Sequence, residues 1–87
     1  MPTKRLVMAG WEACAWHTNG QRRRAVAWRS IRDPGLEVRH CGHPTANYPY
    51  WIIIDGQDRL HDLGTFRLLA DAQASAMKAR LPPVEAA

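Results

Sequence analysis

Trp11-Glu12-Ala13-Cys14-Ala15-Trp16-His17-Thr18-Asn19-Gly20-Gln21-Arg22-Arg23-Arg24-Ala25-Val26-Ala27-Trp28 is the stretch whose reading decides the fold. Two runs rich in aromatic, β-branched and small residues flank an Asn-Gly dipeptide. Asn19-Gly20 fits a two-residue type I′ turn, because both central positions of that turn need positive φ. Folding the chain there sets Trp11 opposite Trp28, Ala13 opposite Val26 and His17 opposite Arg22 on one side of a ribbon. Cys14 then faces Ala25, and Trp16 faces Arg23, on the other side. A Trp–Trp cross-strand pair and a Trp16–Arg23 cation–π contact each add about 0.5–1 kcal/mol to such a hairpin.

Outward from the hairpin, Asp33-Pro34-Gly35 is a turn signal: Pro is pre-set for the second position, and Gly is free to take positive φ. Leu36-Glu37-Val38-Arg39-His40-Cys41 alternates as a half-buried strand does. Residues 42–49 carry Pro44 and Pro49 and show no period, so they read as a loop. Tyr50-Trp51-Ile52-Ile53-Ile54 is apolar on both faces, which predicts a central strand. Asp55-Gly56 ends that strand, and residues 59–63 return as a short one. From Thr65 or Leu68 to Leu81 the period becomes helical, with Leu69, Ala72, Ala76 and Ala79 on one line and Phe66, Met77 and Leu81 beside it. Gly64-Thr65 offers a cap, and Pro82-Pro83 stops the helix. The fold class expected is α+β: a small antiparallel sheet of four to five strands with one C-terminal helix packed on it.

The chain has 87 residues, enough for one domain over 1–87 with flexible ends near 1–4 and 82–87, and too few for a multidomain enzyme. Folding at this size buries about 64% of the extended chain's surface, which supports one small core. Apolar residues make up 46% and charged residues 23%, values that argue against a disordered tail. No apolar run reaches membrane-spanning length, and the N-terminus lacks the apolar stretch of a secretory signal. A cytoplasmic location with reduced thiols is therefore expected for Cys14 and Cys41.

Net charge is +4, and it is unevenly placed. Residues 1–50 hold eight basic and three acidic side chains, whereas residues 51–87 hold four and five. Ten of the twelve basic residues are Arg, the side chain that grips phosphate and carboxylate bidentately. A basic half points to a polyanionic partner, nucleic acid or an acidic protein face. Arg22, Arg23 and Arg24 lie just past the hairpin tip, with Arg29, Arg32 and Arg39 on nearby strands. On a regular strand Arg22 and Arg24 face one way and Arg23 the other, which splits the cluster. Three solvated charges blunting an edge strand is the plainer account of the same residues.

Three further constellations bear on chemistry. Cys14, His17, Cys41 and His43, with His40 beside them, are thiolate and imidazole ligands of the kind zinc takes. Cys14 and His17, three apart on a strand, point to opposite faces, and Cys-x-His is tighter than the usual knuckle; no metal is therefore expected, and both cysteines read as small buried hydrophobes. His40-Cys41-Gly42-His43 holds the elements of a Cys–His nucleophile pair. It lacks an accompanying oxyanion motif, phosphate loop or paired carboxylates, so no enzyme, catalytic residue or cofactor is expected. In residues 43–51 the aromatics suit stacking on bases or on a partner peptide. The plainer account is a clip: prolines fix its path, Tyr48 and Tyr50 cover the sheet edge, and His40 or His43 bonds a loop carbonyl.

The segment Arg39-His40-Cys41-Gly42-His43-Pro44-Thr45-Ala46-Asn47-Tyr48-Pro49-Tyr50-Trp51, with Gly64-Thr65-Phe66 and Leu69-Ala70-Asp71-Ala72-Gln73-Ala74 downstream, resembles small proteins of proteobacterial phages and prophages over roughly residues 36–78. That resemblance implies a mobile-element accessory protein. Chains of this kind and size include anti-CRISPR inhibitors, which bind a host effector complex and block it without catalysis; no residue of an inhibitor's motif carries over to this chain. The expectation is a non-enzymatic binding protein of that type, acting on a host protein or nucleoprotein complex in the host cytoplasm as a monomer or homodimer. The alternative is a nucleic-acid-binding accessory protein that uses the Arg-rich hairpin. Partner-binding residues expected are Arg22, Arg23, Arg24, Trp16, Arg29, Arg39 and Tyr48.

Overall fold

A six-stranded antiparallel sheet and a helix lying across it form the architecture seen in the computed structural model, which describes residues 9–43 and 45–80. The ends expected to be flexible, near 1–4 and 82–87, lie outside the described residues, as do Leu81 and the Pro82-Pro83 helix stop. The strands are β1 (Trp11–Asn19), β2 (Arg22–Ser30), β3 (Leu36–His40), β4 (Tyr50–Ile54), β5 (Gln57–Asp58) and β6 (Thr65–Phe66). A one-turn helix α1 (Leu60–Leu63) separates β5 from β6, and α2 (Leu69–Arg80) closes the described chain. The sheet runs β1-β2-β3-β4, and the far edge of β4 is shared: β5 pairs Ile53 and Ile54, while β6 pairs Tyr50 and Trp51. The expected α+β fold is therefore what the chain adopts. Residues 59–63 differ from the expectation, since Leu60–Leu63 coil into helix instead of a strand. Thr65 pairs with Trp51 instead of capping α2, which starts at Leu69.

The first hairpin forms, but its turn sits one residue later than the Asn-Gly rule places it. Asn19 is already paired, with Arg22, and Gly20-Gln21 make the two-residue loop. Gly20 has φ 62° while Gln21 is not at positive φ, which suits a II′ turn with Gly at its first central position. Trp11 consequently faces Ser30, and Ala13 faces Trp28. The register then breaks twice. Cys14 is skipped between the Ala13–Trp28 and Ala15–Ala27 pairs, and Val26 is skipped between Ala15–Ala27 and Trp16–Ala25. These two bulges, one on each strand, cancel in register, but each reverses the facing of the residues beyond it on its own strand. Ala25 and Trp28, an odd three residues apart, therefore both pack on the core side. The type I′ turn appears instead at Asp55-Gly56, where both residues hold positive φ, 52° and 80°, and Ile54 pairs with Gln57.

The core forms where α2 lies against one sheet face. Val38 and Ile52 are fully buried, with Trp11, Trp28, Leu36, Ile54 and Leu69 around them. Ala72 and Ala76 are also fully buried, so their small side chains let the helix approach the sheet closely. Gln73 joins that buried face, and Ala79, expected on it, is exposed. On the opposite sheet face Arg29 is exposed, and Glu37, Arg39, Trp51 and Ile53 are half-buried.

Arg80, at the end of α2, ties two turns together. Its Nε donates to Asp33 Oδ2 at 2.7 Å, and its Nη1 and Nη2 donate to the Asp55 carboxylate at 2.9 and 2.7 Å. In the Asp33-Pro34-Gly35 turn, Leu36 N donates to Asp33 O at 2.9 Å, yet Gly35 does not take positive φ. Glycine there leaves room for the clamp: a Cβ on Gly35 would run into Asp55 Oδ1 and lie 2.6 Å from Arg80 Nη2, so these two flexible side-chain ends would have to shift.

Candidate functional site

β3 meets β2 only at Ala27, Trp28 and Arg29, so the outer part of the first hairpin projects past the rest of the sheet. About five residues of β2 lie in that projection, roughly 17 Å at strand rise. Its pairs are Trp16 with Ala25, His17 with Arg24, Thr18 with Arg23 and Asn19 with Arg22. Between Glu12 and Asp33 the chain has five arginines and no acidic residue. All three arginines of the run are exposed. Trp16 shares the core-side face with Ala25 but lies where the indole remains 45% exposed. The Arg23 guanidinium sits over that indole, 4.5 Å from its centroid. The expected Trp16–Arg23 contact therefore forms diagonally, one pair removed from the register first assigned.

Arg24 is turned toward the neighbouring loop, where its Nη2 donates to Gly42 O at 3.4 Å. That loop, residues 41–49, is held at its base by Cys41 N donating to Pro49 O at 2.9 Å. Gly42 N donates to His40 Nδ1 at 2.8 Å, and the His40 ring meets Tyr50 edge-on at 5.0 Å. Burial, with the nearby Arg24 charge adding to it, holds the His40 pKa below its ordinary value. His43 N donates to Cys41 Sγ at 3.4 Å, and the Thr45 hydroxyl bonds His43 Nδ1 at 3.2 Å. The two histidines thus brace the loop through amide and hydroxyl groups, where a carbonyl partner was expected. Tyr50 packs beside Trp28 at 5.9 Å, but Tyr48 does not cover the sheet edge: it is 59% exposed.

Of the seven residues expected to bind a partner, Trp16, Arg22, Arg23 and Arg24 come together on the projecting ribbon, and Tyr48 stands on the loop that Arg24 contacts. Arg29 and Arg39 belong to a different patch on the sheet face away from α2. There Arg39 pairs with Glu37 along its own strand, and Arg29 lies near the Cys14 thiol. Burial chiefly, then the Glu37 charge, pushes the Cys14 thiol up, against Arg29 and Arg39. His17, set opposite Arg22 on the expected ribbon and weighed for chemistry only as a metal ligand, stands opposite Arg24 instead, because the turn sits one residue later.

The cysteines depart from the expectation of two buried hydrophobes, since Cys14 is half-buried and Cys41 is exposed. The parity argument against zinc also changes, because the bulge at Cys14 leaves Cys14 and His17 both directed away from the core side. Among the described residues no three His, Cys, Asp or Glu side chains gather as a metal site. An open cleft of about 390 Å³ lies at the far end of the sheet, lined by Trp11, Leu36, Met77 and the Arg80 clamp, with neither a cysteine nor a histidine in its wall. No helix among the described residues is long and apolar enough to cross a membrane. No protein family, curated protein or solved structure matches the chain.

Proposed function

We propose that the protein acts by binding, without catalysis, and that the bound surface presents phosphate: nucleic acid, bare or exposed within a nucleoprotein complex. One observation carries this reading. Among the described residues the ion pairs engage Arg39, Arg59 and Arg80, and none engages Arg22, Arg23 or Arg24. Three unneutralised guanidiniums on a protruding ribbon form a concentrated positive charge with donors free for phosphate oxygens. The test is anisotropy of a labelled oligonucleotide against the intact protein over a salt series. Each phosphate contact contributes about 0.7–0.9 to the slope of log affinity against log salt, so the R22A/R23A/R24A variant is expected to lower that slope by about 2–3. No binding at low salt ends the proposal.

A more specific reading makes the chain a phage accessory protein that blocks a host CRISPR–Cas effector complex in the host cytoplasm. Its supports are the likeness at residues 39–51 and the position of that segment, whose Gly42 carbonyl takes a hydrogen bond from a ribbon arginine. Such complexes expose RNA and DNA phosphates of the kind the ribbon suits. Pull-down from host lysate followed by an interference assay with purified effector checks it, and retention of no complex refutes it.

A further inference from the structure

The ribbon holds one feature that phosphate binding alone leaves unused. Trp16 exposes 45% of its surface on the ribbon face it shares with the unpaired Arg23, although burying an indole is among the larger gains open to a side chain. Arg23 covers the indole from one side, 4.5 Å from its centroid. Arg22 and Arg24 flank Arg23 on the same strand but leave from the ribbon's other face, so they reach a ligand on the Trp16 face only around the ribbon's edge, and Arg24 leads to the loop bearing the exposed Tyr48.

We propose that the ribbon binds single-stranded nucleic acid, with an unpaired base stacked on Trp16 and the flanking phosphates held by Arg22, Arg23 and Arg24. The proposal rests on the phosphate-binding reading and narrows it. A base inside a duplex already has both faces covered by its neighbours, so a duplex uses the arginines and offers nothing to the indole. An unpaired base has a free π-face, and every base has one, so stacking of this kind combined with a basic track binds single strands with little sequence preference. The Arg23 guanidinium over the ring adds a cation to the same stack and limits the freedom of the indole before binding. Charge complementarity selects the occupant: from Ala13 to Arg32 the chain offers a strand no carboxylate to repel its phosphates.

The test compares one labelled oligonucleotide as single-stranded DNA, as single-stranded RNA and as duplex DNA, at matched salt, on the wild-type protein and on Trp16→Ala and Trp16→Phe. The expected result is a preference of at least tenfold for the single strands. Trp16→Ala should remove that preference while leaving the salt slope unchanged, and Trp16→Phe should restore most of it. Ribose or deoxyribose preference is read from the two single-stranded arms, and either serves the proposal. Equal or tighter duplex binding, or full single-strand affinity in Trp16→Ala, overturns the stacking inference and leaves phosphate binding standing. Displacement of the strand by poly-glutamate of equal charge as effectively as by unlabelled strand overturns it in favour of an acidic protein surface. No binding to any of the three oligonucleotides overturns both readings together. The wild-type comparison needs no variant, so it remains decisive if Trp16→Ala loosens the ribbon.

Discussion

Replacing Ile52 and Ile53 by alanine, one at a time, tests the packing of α2 against a single face of the sheet. The two residues are chain neighbours on β4 and have identical side chains, so strand propensity and unfolded-state effects largely cancel between them. Ile52 is fully buried among Val38, Ala72 and Ala76, where the loss of its side-chain atoms leaves a cavity that a helix and four paired strands cannot readily close. Ile53 lies on the other face, in register with Glu37 and Asp58, and is already half-hydrated. Buried Ile→Ala changes cost about 2–5 kcal/mol, and the full burial of Ile52 places it near 3–4; Ile53→Ala should cost about 1 or less. At roughly 4–8 °C per kcal/mol for a domain of this size, the melting temperature falls by about 12–30 °C for the first and under about 8 °C for the second. Thermal melts followed by circular dichroism, with urea titrations beside them, measure both. A total stability of only about 4–13 kcal/mol means that Ile52→Ala alone can approach the unfolding limit. Ile52→Val, at about 1 kcal/mol against near zero for Ile53→Val, then gives the same comparison on a smaller scale. Equal losses at the two positions, or a larger loss at Ile53, would falsify the assignment of the helix to the Ile52 face.

Acid should loosen the Arg80 clamp. Hydrogen bonds from Arg80, helped by its charge, hold the Asp55 carboxyl below its ordinary value of 3.8, so the contribution is complete above that value and is lost as pH falls through the lower folded one. Arg80→Gln is accordingly expected to lower the melting temperature at pH 6 and to converge on wild type near pH 2; a difference that does not change with pH contradicts the clamp. The thiols should separate by rate under a disulfide reagent near neutral pH. Exposed Cys41 reacts first, while Cys14, half-buried with its pKa raised mainly by burial, lags. Cys41→Ser should delete the fast phase, and two equal phases in the wild type count against the described environments.

Much of this architecture was legible from residue order. The first hairpin, the strand at Leu36, the apolar strand at Tyr50 and the C-terminal helix all announce themselves by period and by turn residues. So does the Trp16–Arg23 contact, which survived a shifted register because a shift of two residues preserves facing. What escaped was set by tertiary choices without a residue signature. Asn19-Gly20 satisfies the rule for a I′ turn, but the chain uses Gly20 in a neighbouring turn, and Asp55-Gly56 takes the I′ geometry instead. The bulges at Cys14 and Val26 carry no Gly or Pro to mark them. Residues 59–66 mix short apolar and polar positions too briefly for a period to decide between strand and helix. Within α2, Gln73 is buried in line with Leu69 and Ala76, where hydrophobicity alone had pointed to Ala79. At the candidate site the arginines were visible in the sequence as a cluster, but only the structure separates them: Arg39 is spoken for by Glu37, and the ribbon three are not.

The divided partner of β4 also governs how copies of this chain meet in a crowded solution. A sheet grows by accepting a strand along an open margin, and a long flat margin invites unwanted fibres. On the β4 side, two strands of two residues each, parted by a turn of helix, leave no continuous row of amides for an incoming chain. That leaves the outer margin of β1 as the long one among the described residues, and there the Cys14 bulge interrupts the hydrogen-bonding row partway along nine residues. The same irregularity that turns Trp16 toward the core-side face thus also serves as a guard against self-templated assembly. Straightening β1 by deleting Cys14 would remove that guard.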